Sequence, residues 1–387
     1  MVRRICVFTG SRADYGPLSA VLTALNHEPG IDLRLLVSGS HLVAEQGMTI
    51  DVIADDGHPI SERVPVVVAS DTPTGVAKSF GLGAIGYAEA LERIAPDIVV
   101  LLGDRYEVLA AAVAAAFLRI PIAHICGGEV TAGSTDEGMR HAITKLSHLH
   151  FTATEEFSRR VVQMGEDPRR VYTVGSPGLD TVRTIQLLDK LSLSQKLGMK
   201  LATPTIAVTY HPATADPVGS EAGIRGLLAA LDRLDQATVV FTGSNVDLGG
   251  PSTGHDLERF VARHSDRMLI CPSLGQSGYL SLAQHADVVV GNSSSALIEV
   301  PALGTPTVNI GTRQEGRPIS ESTISCSDDA EAILIAIQQA LAPEHRARAA
   351  AGTSPYGDGH AAVRILHVLK TTSLEGAFKK RFVDLVN

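Results

Sequence analysis

IVVLLGDRYEVLAAAVAAAFLRIPIAHI, residues 98–125, holds one complete structural repeat. Ile98–Leu102 is an unbroken apolar run of strand length that stops at Gly103. Tyr106–Leu118 is apolar over a helical length, and after Pro121 the short run Ile122–Ile125 reads as a strand again. A strand without polar alternation is one covered on both faces, as in a parallel sheet. Strand, helix and strand in this order form a right-handed crossover.

Working outward, the same alternation recurs. Upstream, Arg4–Thr9 reads as a strand ending at Gly10, Leu18–Leu25 as a helix, Leu33–Ser38 as a strand, and Ala77–Ile94 as a helix stopping before Pro96. Downstream, Phe151–Ala153 and Val171–Val174 fit strands. A looser stretch follows at 175–204, and the pattern then restarts. Ile206–Thr209, Val239–Thr242, Met268–Ile270, Val288–Val290 and Thr307–Ile310 read as strands, and Glu221–Leu234 as a helix. The expected fold is α/β with two Rossmann-like domains, 1–176 and 177–365, and a tail helix at 366–387 joining the first. In such sheets the informative residues follow the strands, at their C-terminal ends.

Composition narrows the function. The chain has 387 residues, 44% hydrophobic and 19% charged, with a net charge of -9. That balance disfavours a nucleic-acid partner, which needs clustered cations. Cys6, Cys126, Cys271 and Cys326 are scattered and suggest reduced thiols in a cytoplasmic protein. The longest apolar run, Val108–Leu118, is about half of the ~20 residues that span a bilayer, so no membrane partner is expected. Tryptophan is absent, which points to a small charged ligand rather than a polysaccharide.

Five polar clusters follow strands. GSRADYG, Gly10–Gly16, could seat an anion at a helix start, with Arg12 as its clamp; a plain turn with a solvated Arg reads equally well. LLGDRYE places Asp104 and Arg105 past Leu102, as a carboxylate aimed into the site or as a helix cap beside a surface charge. The densest segment, His124–His148, gathers Glu129, Asp136, Glu137, Arg140, His141 and Lys145, a set suited to acid–base work. Asp136 and Glu137 also suit a capped, salt-bridged helix. His148 and His150 lack a tidy ligand set, so no metal site is expected. YHPAT, Tyr210–Thr214, puts His211 at a strand end. Finally, VVVGNSSSALIEVPALGTPTVNIGTRQEGRP, Val288–Pro318, sets Ser293–Ser295 at a helix start, where hydroxyls and backbone N–H groups can hold a diphosphate. Glu299 lies one turn on and could accept from ribose hydroxyls; Arg313 follows the next strand.

Taken in order, GSRADYG, LLGDRYE, GGE, RHAITKLSH, YHP, GNSSS, IEVP and VNIGTRQEGR resemble the hydrolysing UDP-N-acetylglucosamine 2-epimerases of bacterial sialic-acid-type pathways. The resemblance covers nearly the whole chain. It implies a glycosyltransferase-B-like fold with the site in the interdomain cleft, a homodimer or homotetramer, and neither metal nor nicotinamide. It also implies the reaction: UDP elimination to a 2-acetamidoglucal, then water addition. UDP-N-acetylglucosamine is the default substrate; a 2,4-diacetamido-6-deoxy sugar nucleotide of legionaminic-acid synthesis and a GDP-linked sugar are alternatives.

The resemblance also assigns residues. Arg12, His211, Ser293, Ser294, Glu299 and Arg313 match UDP-binding positions, and His211 can also assist the leaving group. Asp104 matches a catalytic carboxylate, and Asp136 a second acid with Glu137 as its neighbour. Glu129 is the third candidate, because Cys126 stands where some relatives carry Glu. Arg105, Glu137, Arg140, His141 and Asn245 complete the expected substrate contacts. The non-hydrolysing branch, which typically shows GTRPE and GDT where this chain has GSRAD and GDR, is the nearest rival. A glycosyltransferase of the same fold, which would transfer the sugar to an acceptor, is a second rival; a non-catalytic sensor would need only the UDP clamp, and Asp104, Glu129 and Asp136 argue against it.

Overall fold

The computed structural model describes residues 2–70, 72–131, 136–211, 217–243, 251–271 and 273–384, and describes no side chains for 217–221 and 251–254. It contains two compact α/β units. The first comprises 1–129, 136–181 and 356–387; the second comprises 130–135 and 182–355.

Strands of the first unit are β1 (Arg3–Thr9), β2 (Ile31–Ser38), β3 (Ile60–Val64), β4 (Ile98–Leu102), β5 (Ile122–Ile125), β6 (Leu149–Thr152) and β7 (Val171–Thr173). They form one sheet in the order β3-β2-β1-β4-β5-β6-β7, parallel throughout. Its residues alternate between two cores. Ile5, Val7, Leu35, Ile98 and Val100 pack under helices Arg12–Asn26 and Ala361–Thr371. Cys6, Phe8, Leu36, Val99 and Leu101 pack under helices Pro73–Ile94 and Tyr106–Phe117. This two-sided cover is why β4 shows no polar alternation. The alanines of Tyr106–Phe117 let its neighbour come close: a Cβ on Gly83 would stand 3.2 Å from the Ala110 Cβ.

The second unit repeats the plan. Its strands are β8 (Thr205–Thr209), β9 (Thr238–Thr242), β10 (Met268–Cys271), β11 (Val288–Gly291), β12 (Thr307–Ile310) and β13 (Thr323–Cys326), ordered β10-β9-β8-β11-β12-β13 and again parallel. The two-domain α/β expectation therefore holds.

Differences lie at edges and ends. The edge strands β3 and β13 escape the sequence reading because ISERV and TISC are polar and only partly buried. The stretch read as loose carries helices Pro177–Thr184 and Lys190–Leu197. The units change over at Thr181/Val182 and Pro355/Tyr356 rather than near 176 and 365. The tail is not one helix over 366–387. Ala361–Thr371 is helical, started by Asp180, whose carboxylate accepts from Ala361 N and Ala362 N at 2.9 Å each. Beyond it Gly376, at φ 70°, breaks the chain into a short turn, Ala377–Lys379. Among the described residues, no helix is long and apolar enough to cross a membrane.

Candidate active site

In each sheet the chain reverses direction of winding between two adjacent strands, β1/β4 in the first and β8/β11 in the second. Such switch points open a crevice at the strands' carboxyl ends. Four of the polar clusters follow these strands, and the densest follows β5, next to β4.

In the first unit, Thr9 ends β1 and Ser11 precedes helix Arg12–Asn26, so exposed Arg12 occupies its first position. Beneath the turn lies a charged network. The Gly10 N–H donates to Asp14 Oδ2 at 3.1 Å. Arg105 grips buried Glu107 through two bonds of 3.1 and 3.2 Å. Burial raises the Asp14 carboxyl to about 6, against the pull of Arg105 and with a further push from Glu107. Arg105 thus serves the network under the loop. Nearby, buried His41 joins Thr9 Oγ1 at 2.9 Å and Thr49 Oγ1 at 2.7 Å, and burial pushes it down to about 4, keeping it neutral.

Asp104 caps no helix: Arg105 takes the cap position before Tyr106–Phe117 and makes no side-chain cap bond. Asp104 instead accepts from Arg140 Nη2. Arg140, on helix Asp136–Leu146, is 3% exposed. It also donates to the Cys126 carbonyl at 3.2 Å and meets Glu129 Oε2 at 3.5 Å. Burial works against its charge, but Asp104 and Glu129 more than offset that, so its pKa is raised. One buried cation thus holds two carboxylates at the ends of β4 and β5, with 21% of the Asp104 side chain exposed.

The loop that delivers Glu129 is conformationally costly. Cys126 sits at φ 65°, a left-handed backbone rare outside glycine, while its N–H donates to the Phe151 carbonyl at 2.9 Å. At Gly128, φ 75°, a Cβ would fall 2.4 Å from the Phe157 carbonyl. Just before it, fully buried His124 donates from Nε2 to the Gly103 carbonyl at 2.8 Å; burial pushes it down to about 3, so it stays neutral and ties this loop to β4. Asp136 and Glu137 open helix Asp136–Leu146, and Glu137 faces His141 at 3.6 Å. Lys145, four residues on, turns elsewhere, to Glu166 at 2.6 Å.

In the second unit the organising residue is Asn292. Its Oδ1 accepts from His211 N and its Nδ2 donates to the His211 carbonyl, both at 2.7 Å. Its own carbonyl accepts from Arg313 Nη1 at 2.9 Å and Gln314 Nε2 at 2.8 Å. Gly291 must be glycine, since a Cβ there would fall 1.9 Å from the Thr209 carbonyl. Ser293 and Ser294 lead into helix Ser295–Ala302, which carries Glu299 on its second turn; all three are half-buried. His211, Ser293, Ser294 and Arg313 are thereby gathered around one loop. Asn292 and Gln314 received no role in the sequence reading, since nothing local marks an amide after Gly291, or one between Arg313 and Glu315, as the holder of a distant backbone. Asn245 lies outside the described residues, as do Pro212–Thr214 of YHPAT. Among the described residues no group of His, Cys, Asp and Glu side chains could hold a metal ion.

The sequence matches the model of the UDP-N-acetylglucosamine 2-epimerase family over residues 23–370. It is 35% identical to a GDP/UDP-N,N'-diacetylbacillosamine 2-epimerase (hydrolyzing) of Campylobacter jejuni, over 83% of this chain and 84% of that protein. A UDP-N,N'-diacetylbacillosamine 2-epimerase (hydrolyzing) of Legionella pneumophila is 34% identical over 97% of both chains. In fold, the Methanocaldococcus jannaschii UDP-GlcNAc 2-epimerase solved with UDP-GlcNAc and UDP superposes with a TM-score of 0.74 at 18% identity, covering 95% of this chain and all of that one. With a family match over most of its length, the chain belongs to the UDP-N-acetylglucosamine 2-epimerase family.

Proposed function

We propose that this protein is a hydrolysing 2-epimerase of a UDP-linked 2-acetamido sugar, releasing UDP and the 2-epimeric free sugar. The observation that carries the reading is Arg140, buried between Asp104 and Glu129 at the ends of β4 and β5. A UDP-binding protein without chemistry has no need of two carboxylates compensated by one buried cation.

The reaction balances as two steps. A carboxylate, assigned to Asp104 with Glu129 beside it, takes the proton from sugar carbon 2 while the bond from carbon 1 to the diphosphate oxygen breaks. The electron pair of that bond leaves with UDP, giving a 2-acetamidoglucal. Water then adds its hydroxyl to carbon 1, and an acid, assigned to Asp136 or Glu137, protonates carbon 2 from the opposite face. In the second unit, His211, Ser293, Ser294 and Arg313 suit the diphosphate and Glu299 the ribose, because cations and helix-start N–H groups stabilise a departing anion. Arg12 is assigned a phosphate contact, and Glu137, Arg140 and His141 are assigned to the sugar side.

The sugar is the open choice. UDP-N-acetylglucosamine fits the family name, whereas the Campylobacter relative, named for a GDP- or UDP-linked N,N'-diacetylbacillosamine, and the Legionella relative, named for the UDP-linked one, favour a 2,4-diacetamido-6-deoxy sugar nucleotide. The test is a panel of nucleotide sugars incubated in deuterium oxide with EDTA and without NAD, scored by NMR. The expected products are UDP and a free sugar with one deuterium at carbon 2. Epimerised sugar still bonded to UDP, or protium retained at carbon 2, overturns the proposal.

A further inference from the structure

The tail beyond helix Ala361–Thr371 closes a second, separate cavity in the first unit, of about 750 Å³. That is within the range of small-ligand sites. Its floor is built around Glu166, whose side chain is 2% exposed. One Glu166 oxygen receives Lys145 at 2.6 Å; the other receives Lys380 at 2.7 Å and His150 at 2.9 Å. Lys380 donates further to the Lys145 and Ser147 carbonyls at 2.7 Å each. The tail is therefore anchored: Val383 N donates to the Gly165 carbonyl at 3.0 Å, and the Phe378 ring meets His148 edge-on at 4.8 Å.

The wall is strongly cationic. Arg169, Arg170, Lys379, Lys380 and Arg381 line it against only Glu166 and Asp167. Asp167 is taken by Arg169 at 2.6 Å, and Glu166 by the two lysines and His150. Arg170 bonds to the Ser373 carbonyl, and no ion pair ties Lys379 or Arg381 to a described residue. In a chain of net charge -9, five cations lining one cavity against two carboxylates are a local concentration of positive potential. Like charges at neighbouring positions repel one another, and an anion between them offsets that repulsion.

We propose that this cavity binds a small diphosphate-bearing anion, held by Arg170, Lys379 and Arg381, and that the bound anion fastens the segment 376–383 against the first sheet. Guanidinium groups engage phosphate oxygens in pairs and a lysine adds a point charge, so a diphosphate matches this lining better than a monoanion.

Calorimetry on the full-length protein tests it, titrating inorganic pyrophosphate and, separately, ADP, at constant ionic strength set with chloride. Arg170→Gln/Lys379→Gln/Arg381→Gln should weaken pyrophosphate at least about tenfold, the loss of one or two charge-assisted contacts. The same variant should still bind UDP, which also shows that it folds. Arg313→Ala should leave this pyrophosphate site intact. Tighter binding of ADP than of pyrophosphate would mark a nucleotide source; equal binding would mark the inorganic ion. Pyrophosphate binding untouched by the triple variant but lost in Arg313→Ala overturns the proposal, as does binding of anionic vesicles or RNA with none of pyrophosphate or ADP.

Discussion

Asn292 holds His211 by its backbone rather than its ring, closing a two-bond clamp of 2.7 Å on each side across adjacent strands β8 and β11. Both bonds go to the His211 backbone, so they fix where the chain leaves β8 without engaging the imidazole. Asn292→Ala removes both bonds, each contributing about 0.5–1.5 kcal/mol. We expect UDP affinity to fall on the order of tenfold with the melting temperature lowered by a few degrees. Asn292→Asp keeps the acceptor for His211 N but sets a buried carboxylate oxygen against the His211 carbonyl, and should lose at least as much. Calorimetry with UDP on both variants checks this, and equal affinity in Asn292→Ala and wild type would show that the clamp does not position the site.

The two units should divide their labour. Asp104→Asn is expected to cut turnover by about 10²–10⁴-fold with UDP affinity nearly unchanged, as for a lost positioned acid or base. Glu299→Ala should weaken UDP itself, because ribose contacts persist in the product complex. Ser294→Ala should weaken it less, since backbone N–H groups at that helix start remain. The opposite pattern, Asp104→Asn abolishing UDP binding while Glu299→Ala leaves it intact, would reverse the assignment.

Arg140 is also a stability element. Arg140→Met removes the cation that Asp104 and Glu129 share, and breaking a buried pair this way costs about 3–5 kcal/mol. The double variant Asp104→Asn/Arg140→Met should regain part of that loss, because one of the stranded charges is gone. Urea unfolding of the cycle measures the coupling, and strict additivity would mean that the charges do not act together.

Asp14 gives a pH signature. Its carboxyl is raised from 3.8 to about 6 in the folded protein, so between those values the native state holds a proton that the unfolded chain has released. Stability from this group is therefore present below about pH 4 and is lost as pH rises through about 6, a difference of order 3 kcal/mol at full effect. Asp14→Asn, which can still accept from Gly10 N, should gain stability relative to wild type as pH goes from 4 to 7. Melting temperatures of both proteins across that range decide it; a constant offset would show that Asp14 titrates alike in both states.

Much of this was legible in the chain. The repeat at 98–125 announces a parallel sheet because burial on both faces removes polar alternation, and Gly10, Gly103 and Gly291 mark where strands turn into loops. Linear order of motifs sufficed for the family, since each polar cluster follows its strand. Edge strands β3 and β13 were not legible, because a strand with one neighbour need not be apolar.

What the sequence by itself determined is the list of chemical groups and the strand each one follows. Only the tertiary structure decided the pairings. Asp104 and Arg140 stand 36 residues apart, and nothing local distinguishes a helix cap from the partner of a buried cation. Arg105, beside Asp104 in sequence, belongs instead to Glu107 and the turn below Gly10. Asn292 became an organising residue only when strand pairing brought its amide to the backbone of a loop 81 residues earlier. Periodicity and turn chemistry are local and survive in the chain as written, whereas charge compensation depends on which helix end the sheet order places beside which strand end.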